Sequence, residues 1–241
     1  YKESLAKTLT PADGFISNSV YTSIALKQAA IKHYNININH LPTCVIPITK
    51  TNLPTDISPN QVRQSVKDIV KKENPYLVVG TIEPRKNHHY ILDAFELLWQ
   101  EDINTPLILV GKSGWNNTDI LDRIAHHSAF GKNLFWLNNV SDVELVYLYQ
   151  NVEAIIMASI VEGFGLPIIE AQKFGCKTLL SDIPVFKEVG ENSLYFDLAK
   201  PETLCKLIRT NAISGITLAT GSAKQEGHDI AKHITRFISI K

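Results

Sequence analysis

Two carboxylates eight positions apart, Glu162 and Glu170, bracket the segment EGFGLPIIE. Paired carboxylates are the usual tools for chemistry at a sugar's anomeric carbon. Eight positions along a continuous helix cover about 12 Å, whereas a retaining glycosidase holds its two carboxyl groups roughly 5 to 5.5 Å apart. The spacing disfavours a glycosidase pair and suggests a division: one Glu for a sugar, the other for a diol elsewhere on the same ligand. Gly163 and Gly165 flank Phe164 and let the backbone turn sharply and approach a ligand closely. Pro167 at a first helical position starts a helix whose N–H groups point back into the loop, where an anion or a cluster of sugar hydroxyls would sit.

A second constellation lies in TIEPRKN, where Glu83, Arg85 and Lys86 follow the apolar run YLVVG. Loops at the carboxyl ends of strands are where open α/β sheets bind ligands. A guanidinium beside an ammonium suits a diphosphate, the first as a fork and the second as a point charge. Taken alone, the loop reads equally as a solvated basic turn. GKS at 111–113 is not the end of a Walker A loop, because that motif needs glycine where Pro106 stands. His88 with His89 and His126 with His127 lack metal-ligand spacing and read as surface or helix-boundary residues. Trp99 and Trp136 read as core, Trp115 in KSGWNN as a loop residue suited to a contact surface, and Cys176 as core packing. The sequon at Asn116 reads as chance. No clustered aspartates suggest a metal.

The elements that must position these residues follow from periodicity. YLVVG (76–80), PLILVG (106–111), NLFWL (133–137), EAIIMAS (153–159) and KTLLSD (177–182) are short buried-type runs, four of them each followed by a helix-period stretch. That pattern predicts an α/β fold, a Rossmann-like parallel sheet with helices on both faces. Ile91, Leu92, Phe95, Leu98 and Trp99 form one apolar helix face. Ser141 and Asp142 precede Val143 and Glu144 as a helix start, and Gly175 closes the helix that Pro167 opens. Residues 1–50 read as a strand, helix and strand too small to fold alone; 51–74 as a linker with a helix; 75–200 as the Rossmann-like domain; and 201–241 as a helix and tail, with 211–241 weakly patterned.

Composition narrows the function. The chain has 241 residues, 44% hydrophobic, enough for a packed core. Lys plus Arg and Asp plus Glu each number 24, which gives no electrostatic case for a nucleic-acid partner. Cys44, Cys176 and Cys205 form neither a disulfide framework nor a paired zinc set and suit a reducing cytoplasm. No apolar run approaches the roughly 20 residues of a membrane span, and the start lacks a signal-peptide core. The single methionine is Met157, so the sequence reads as a piece of a longer product.

GTIEPRKNHHYILDAF and EGFGLPIIEA, separated by LILVGKSGW and NLFWLNNVSDVELVYLY, together resemble the C-terminal donor domain of GT4 retaining glycosyltransferases, which have the GT-B fold. The resemblance covers about residues 75–197, and ADGFISNSVYTSIAL resembles the last unit of the family's N-terminal acceptor domain. It implies that Lys86, helped by Arg85, stabilises a leaving nucleotide diphosphate and that Glu162 faces the transferred sugar. It also implies that the amides of Gly163, Phe164, Gly165 and Leu166 reach sugar and phosphate, and that Glu170 binds ribose. Gly80 and Thr81 lie on the donor, and the segment around Trp136, Asn138 and Val140 grips the base. The chain departs from the family at Gly80-Thr81, where many members have Gly-Arg, and at Asn138, where glycine is usual.

The resemblance further implies a UDP- or GDP-sugar donor, no metal or other cofactor, and front-face attack with the leaving phosphate taking the acceptor proton. A saccharide or lipid-linked saccharide acceptor, held through an absent domain, fits bacterial O-antigen or polysaccharide synthesis. The location implied is cytoplasmic, peripheral at the inner face of the inner membrane, and this piece by itself would bind donor only. The alternative is a sugar-nucleotide-binding module without turnover. A phosphorylase-like enzyme would need a pyridoxal phosphate lysine context that the sequence lacks.

Overall fold

The computed structural model describes residues 7–210. The weakly patterned segment 211–241 lies outside the described residues. The chain divides after Lys50 into two compact units. In the first, strand β1 (Phe15–Ser17), helix α1 (Val20–Tyr34) and strand β2 (Thr43–Val45) form one βαβ turn, with Phe15 opposite Thr43 in parallel register. Ser19 caps α1 by accepting from the Thr22 amide at 2.9 Å, and Asn35 ends it in a left-handed conformation, φ 54°. Leu9, Ala30 and Ile38 form its small core.

The second unit is built on a six-stranded sheet. Its strands are β3 (Tyr76–Val79), β4 (Leu107–Val110), β5 (Leu134–Leu137), β6 (Ala154–Met157), β7 (Lys177–Ser181) and β8 (Leu194–Phe196). Their spatial order is β5-β4-β3-β6-β7-β8, every pair parallel. Every residue of β4 and β6 is buried, as strands covered on both faces require. The intervening helices are α3 (His88–Gln100), α4 (Thr118–Ala125), α5 (Asp142–Asn151), α6 (Leu166–Lys173) and α7 (Pro184–Val189), and α8 (Pro201–Arg209) follows β8. The apolar face read from the sequence packs as expected: Ile91, Leu92, Phe95 and Leu98 are buried in one core with Leu107, Leu109 and Ile156, and Trp99 packs against it.

Two elements carry no clear sequence signal. Helix α7 and strand β8 have six and three residues, too short for periodicity to register. Helix α8, grouped in sequence with the C-terminal tail, packs on α3. Leu204, Cys205 and Ile208 enter the same core, and Arg209 pairs with Glu101 at 2.7 Å.

The strand order places the site. The chain starts at β3, builds outward to β4 and β5, then returns to the other side of β3 for β6, β7 and β8. Connections therefore diverge at the carboxyl ends of β3 and β6, leaving a crevice between them, the switch point where such sheets bind ligands.

The stretch before the sheet, which includes helix α2 (Gln64–Val70), buries Val62, Val66 and Ile69 and is tied down by Arg63. Arg63 grips Glu144 through Nε at 2.6 Å and Nη2 at 2.9 Å, and its Nη2 also donates to the Asn139 carbonyl at 2.5 Å. Glu144 is 3% exposed and closes a capping box with Ser141 at the start of α5. The Arg63 hydrogen bond, helped by Ser141, outweighs burial and holds the Glu144 carboxyl down at about 2. A depressed carboxyl stabilises the fold above its unfolded value of 4.5, and that stability is lost as pH falls toward 2. Arg63→Ala should lower stability at neutral pH by about 3 kcal/mol, the low end for breaking a buried pair because the arginine is half-exposed. Thermal unfolding should show this gap shrinking as pH falls toward about 3; a gap that does not change with pH would show that the pair contributes nothing through its charge.

Candidate functional site

At the end of β3 the backbone passes through Gly80, φ 145°, beside Gly111, φ 154°, at the end of β4. A Cβ on Gly111 would lie 2.0 Å from the Gly80 carbonyl oxygen, so the two strand ends approach backbone to backbone as only glycine permits. A Cβ on Gly80 would meet Lys86 Cε at 3.1 Å, because the lysine stem folds back over it. That return is made by a 3-10 turn, Pro84–Lys86, which ends at Asn87 in the left-handed region, φ 57°. Lys86 and Arg85 are thereby aimed across the crevice toward the end of β6.

They meet Glu162 there. Lys86 Nζ lies 2.5 Å from Glu162 Oε1, and Arg85 Nη1 lies 2.6 Å from Oε2. Ser159 Oγ donates to Oε1 at 3.0 Å, while its carbonyl accepts from Ser181 Oγ at 2.7 Å. The Ile160 amide donates to the Arg85 carbonyl at 2.9 Å, tying the loop after β6 to the loop after β3. Arg85 Nε also pairs with Glu83 Oε1 at 2.5 Å, and Glu83 Oε2 accepts from Trp115 Nε1 at 3.0 Å. Burial pushes the Glu162 carboxyl up, but Lys86 and Arg85, with Ser159, outweigh it and leave it below its ordinary value. Glu162 is therefore ionised at neutral pH. Side chains of Glu162 and Lys86 are 8% and 11% exposed, so each is strongly dependent on the other for neutralisation.

The glycine loop follows. Gly165 has φ 101°, and a Cβ there would press on Ile168 Cδ1 and Phe186 Cε1, each at 3.0 Å. No side chain caps α6, and Pro167 stands in its first turn. Phe164 is buried and Leu166 exposed, so the loop's own hydrophobic anchor is the phenyl ring. One turn on, Glu170 Oε2 accepts from Tyr149 Oη at 2.9 Å. Tyr149 is 1% exposed and stacks on Phe174 at 6.2 Å. Burial, with Asp142, raises the Glu170 carboxyl despite the Tyr149 hydrogen bond and Lys173. The two glutamates thus sit in separate networks, one doubly paired with cations and one bonded to a phenol, unlike a glycosidase pair.

Beyond β5, Trp136 Nε1 donates to the Gly111 carbonyl at 2.9 Å, which links the segment around Asn138 and Val140 to the strand ends at Gly80 and Gly111. Asn138 does not adopt a positive φ, so the turn does not need the glycine usual in the family. Thr81 is exposed beside Gly114, where a Cβ would meet Thr81 Cγ2 at 2.6 Å. His88 stands at a helix boundary, one of its two expected settings, and not at the surface. It opens α3, yet it is 3% exposed, with Nδ1 unpartnered, and burial beside Lys86 lowers it to about 4, so its ring is neutral at neutral pH. Among the described residues, no group of three His, Cys, Asp or Glu side chains could hold a metal ion. Ser159 and Tyr149, which donate to Glu162 and Glu170, have no local sequence signal, whereas the Ser-x-x-Glu spacing at 141–144 marks the capping box.

The model of the family described as glycosyl transferases group 1 matches residues 61–209. A serotype-specific mannosyltransferase, WbdA of Escherichia coli, is 46% identical over 55% of this chain and 16% of its own length. O-antigen chain mannosyltransferase B of Escherichia coli is 32% identical over 67% of this chain and 44% of its own. O-antigen chain mannosyltransferase RfbU of Salmonella typhimurium is 33% identical over 72% and 44%. The chain spans less than half the length of these relatives. A solved structure of Anabaena Alr3699/HepE in complex with UDP and glucose superposes with a TM-score of 0.76 at 19% identity, over 100% of this chain and 67% of that one. Since the family match extends from the strap before β3 through α8 and takes in every element that builds the crevice, the chain belongs to the glycosyl transferases group 1 family, and its six-stranded unit is a C-terminal domain of the GT-B fold.

Proposed function

We propose that the chain binds a nucleotide diphosphate sugar, UDP- or GDP-linked, at the crevice between β3 and β6 and serves a retaining mannosyltransferase of O-antigen or related polysaccharide synthesis. The observation that carries this reading is the convergence of Lys86 and Arg85 on one carboxylate from the facing loop. A diphosphate offers those cations a better partner than Glu162, since it brings more charge and more acceptor oxygens. Binding then frees Glu162 to accept hydroxyls of the transferred sugar, with the amides of Gly163, Phe164, Gly165 and Leu166 at the start of α6 reaching sugar and phosphate.

Transfer breaks the bond from the anomeric carbon to the phosphate oxygen and forms a bond to the acceptor hydroxyl oxygen on the same face. Positive charge grows on the sugar and negative charge on the diphosphate, whose cationic partners are in place beforehand and so favour the transition state. The acceptor proton passes to the departing phosphate, and configuration is retained. Glu170, when ionised, accepts from the two ribose hydroxyls, while the segment from Trp136 to Val140 holds the base. These steps use no metal. The mannosyl assignment draws on the mannosyltransferase relatives, and the UDP alternative on the UDP-bound HepE structure.

A saccharide or lipid-linked acceptor is held by parts of the parent protein that the relatives' greater length accommodates, so this piece binds donor without transferring. No described helix is long and apolar enough to cross a membrane. We place the protein in the cytoplasm, peripheral at the inner face of the membrane, with no nucleic-acid partner, in keeping with its balanced charge. A sugar-nucleotide-binding module without turnover is the second reading, favoured by the same length comparison.

Calorimetry with UDP and GDP should detect binding of at least one. Lys86→Ala should weaken it about 10- to 100-fold, the range for losing a hydrogen bond to a charged group, and Glu170→Ala should weaken it further; no heat with either nucleotide would remove the donor site. Because burial raises the Glu170 carboxyl, the folded state favours its protonated form, so that stabilisation is lost as pH rises through the raised value. Glu170→Gln should therefore raise the melting temperature at neutral pH, give no gain in acid, and still lose nucleotide affinity; a lower melting temperature at neutral pH would contradict the electrostatic account. In the full parent enzyme, Glu162→Ala should reduce mannosyl transfer from GDP-mannose by roughly 100-fold or more, as removal of a transition-state partner does. A parent that binds donor but transfers nothing favours the module reading.

A further inference from the structure

Helix α5 starts directly after the segment from Trp136 to Val140, and about two turns along it carries Tyr149. The tyrosine is buried, and its ring lies nearly parallel to that of Phe174, with 7° between the planes and 6.2 Å between the centroids. The Phe174 amide donates to the Glu170 carbonyl at 3.2 Å, so the ring that packs on Tyr149 is carried by the turn of α6 that begins at Glu170. Stacking therefore fixes where the phenol hydroxyl can reach. It donates to Glu170 Oε2 at 2.9 Å. The Glu170 carboxylate accepts no other hydrogen bond among the described residues, which leaves Oε1 to a ligand.

Packing does not account for the hydroxyl. A phenylalanine at 149 would keep the stacking on Phe174 and bury no polar atom. What the hydroxyl adds is a hydrogen bond to the ionised form of Glu170. That carboxyl is raised by burial and by Asp142 at the start of α5, while Tyr149 and Lys173 act the other way. Lys173 Nζ stands 5.2 Å over the Phe174 ring. Burial, with Glu170 beside it, holds the Tyr149 phenol well above its ordinary range, so the group stays protonated and donates. The remaining titratable neighbour, Cys176, is neutral, because burial pushes its thiol up to about 12.

We infer that Tyr149 is a positioning residue for the ribose of the nucleotide: it holds the Glu170 carboxylate in one orientation, with Oε1 open, so that the ribose hydroxyls meet an acceptor already in place. Because α5 also follows the segment that holds the base, one helix sets the base contact and the ribose contact relative to each other. The role rests on the ribose contact proposed above for Glu170; the pairing of phenol and carboxylate does not.

The test compares Tyr149→Phe with the parent chain in two measurements. In the absence of nucleotide, a carbon-13 carboxyl titration, with the Glu170 signal identified by its loss in Glu170→Gln, should place the Glu170 transition at higher pH in Tyr149→Phe. Replacing tyrosine throughout by 3-fluorotyrosine, whose phenol is the stronger donor, should move that transition the other way. Calorimetry then uses UDP, GDP and their 2′-deoxy forms, dUDP and dGDP. The nucleotide that the parent binds should lose about 3- to 10-fold in affinity in Tyr149→Phe, the scale of one net hydrogen bond. Its 2′-deoxy form offers one hydroxyl fewer and should lose less, so the parent's preference for ribose should shrink. Binding needs ionised Glu170, so affinity is lost as pH falls through its raised value, and in Tyr149→Phe that loss should begin at higher pH. Glu170→Gln gives the reference, since it keeps only the titration of the diphosphate, at roughly pH 6, and there Tyr149→Phe should change nothing further. An unmoved Glu170 titration, or equal losses for the ribose and deoxyribose forms, would overturn the inference. A parent that binds neither UDP nor GDP removes the donor reading and the ribose role with it, whereas the ligand-free titration still reports the pairing.

Discussion

Glu162 is an ionised carboxylate with little access to water, and it is tolerable there because two cations from the loop after β3 neutralise it. Neither side of this pairing is as stable alone: Lys86 without Glu162 is a nearly buried unpaired ammonium, and Glu162 without any cation beside it keeps only the burial that raises its carboxyl. The glycines at 80 and 111, the turn that brings Lys86 back over Gly80, and the Ile160 amide on the Arg85 carbonyl all serve this contact. An anion entering the crevice does not need to attract cations from solvent. In the donor complex proposed above it would exchange one carboxylate for itself within a charge set that is already assembled, the preorganisation that electrostatic catalysis requires.

Around that contact, stability and function draw on the same types of group with opposite sign. Glu144, paired with Arg63 and capping α5, has a depressed carboxyl and stabilises the fold. Glu170, bonded to a tyrosine in an apolar setting, has a raised one and costs stability when ionised. A carboxylate kept at such a cost, on the helix that follows the glycine loop, suits the ribose-binding role proposed for Glu170.

Much of the sheet could be read from the sequence because its strands are short buried runs that differ plainly from the helices between them. The first five strands of the large unit and the helix starts at Ser141 and Pro167 fall where periodicity and caps place them. The same local chemistry picked out Lys86, Arg85, Glu162 and Glu170. It missed α7 and β8, which are too short for a period, and the burial of His88 at the start of α3.

By itself the sequence determined residue types, caps and the order of elements, because those depend on neighbours within a few positions. Only the tertiary structure decided which charges meet. Arg63 and Glu144 are 81 positions apart, and Lys86 and Glu162 are 76 apart. Such distances are closed by the reversal of strand order between β3 and β6 and by the strap before the sheet, neither of which has a local signature. The division of labour between Glu162 and Glu170 was suggested by their spacing. That one carboxylate is neutralised by two cations and the other raised by burial beside a phenol was decided only in the folded chain.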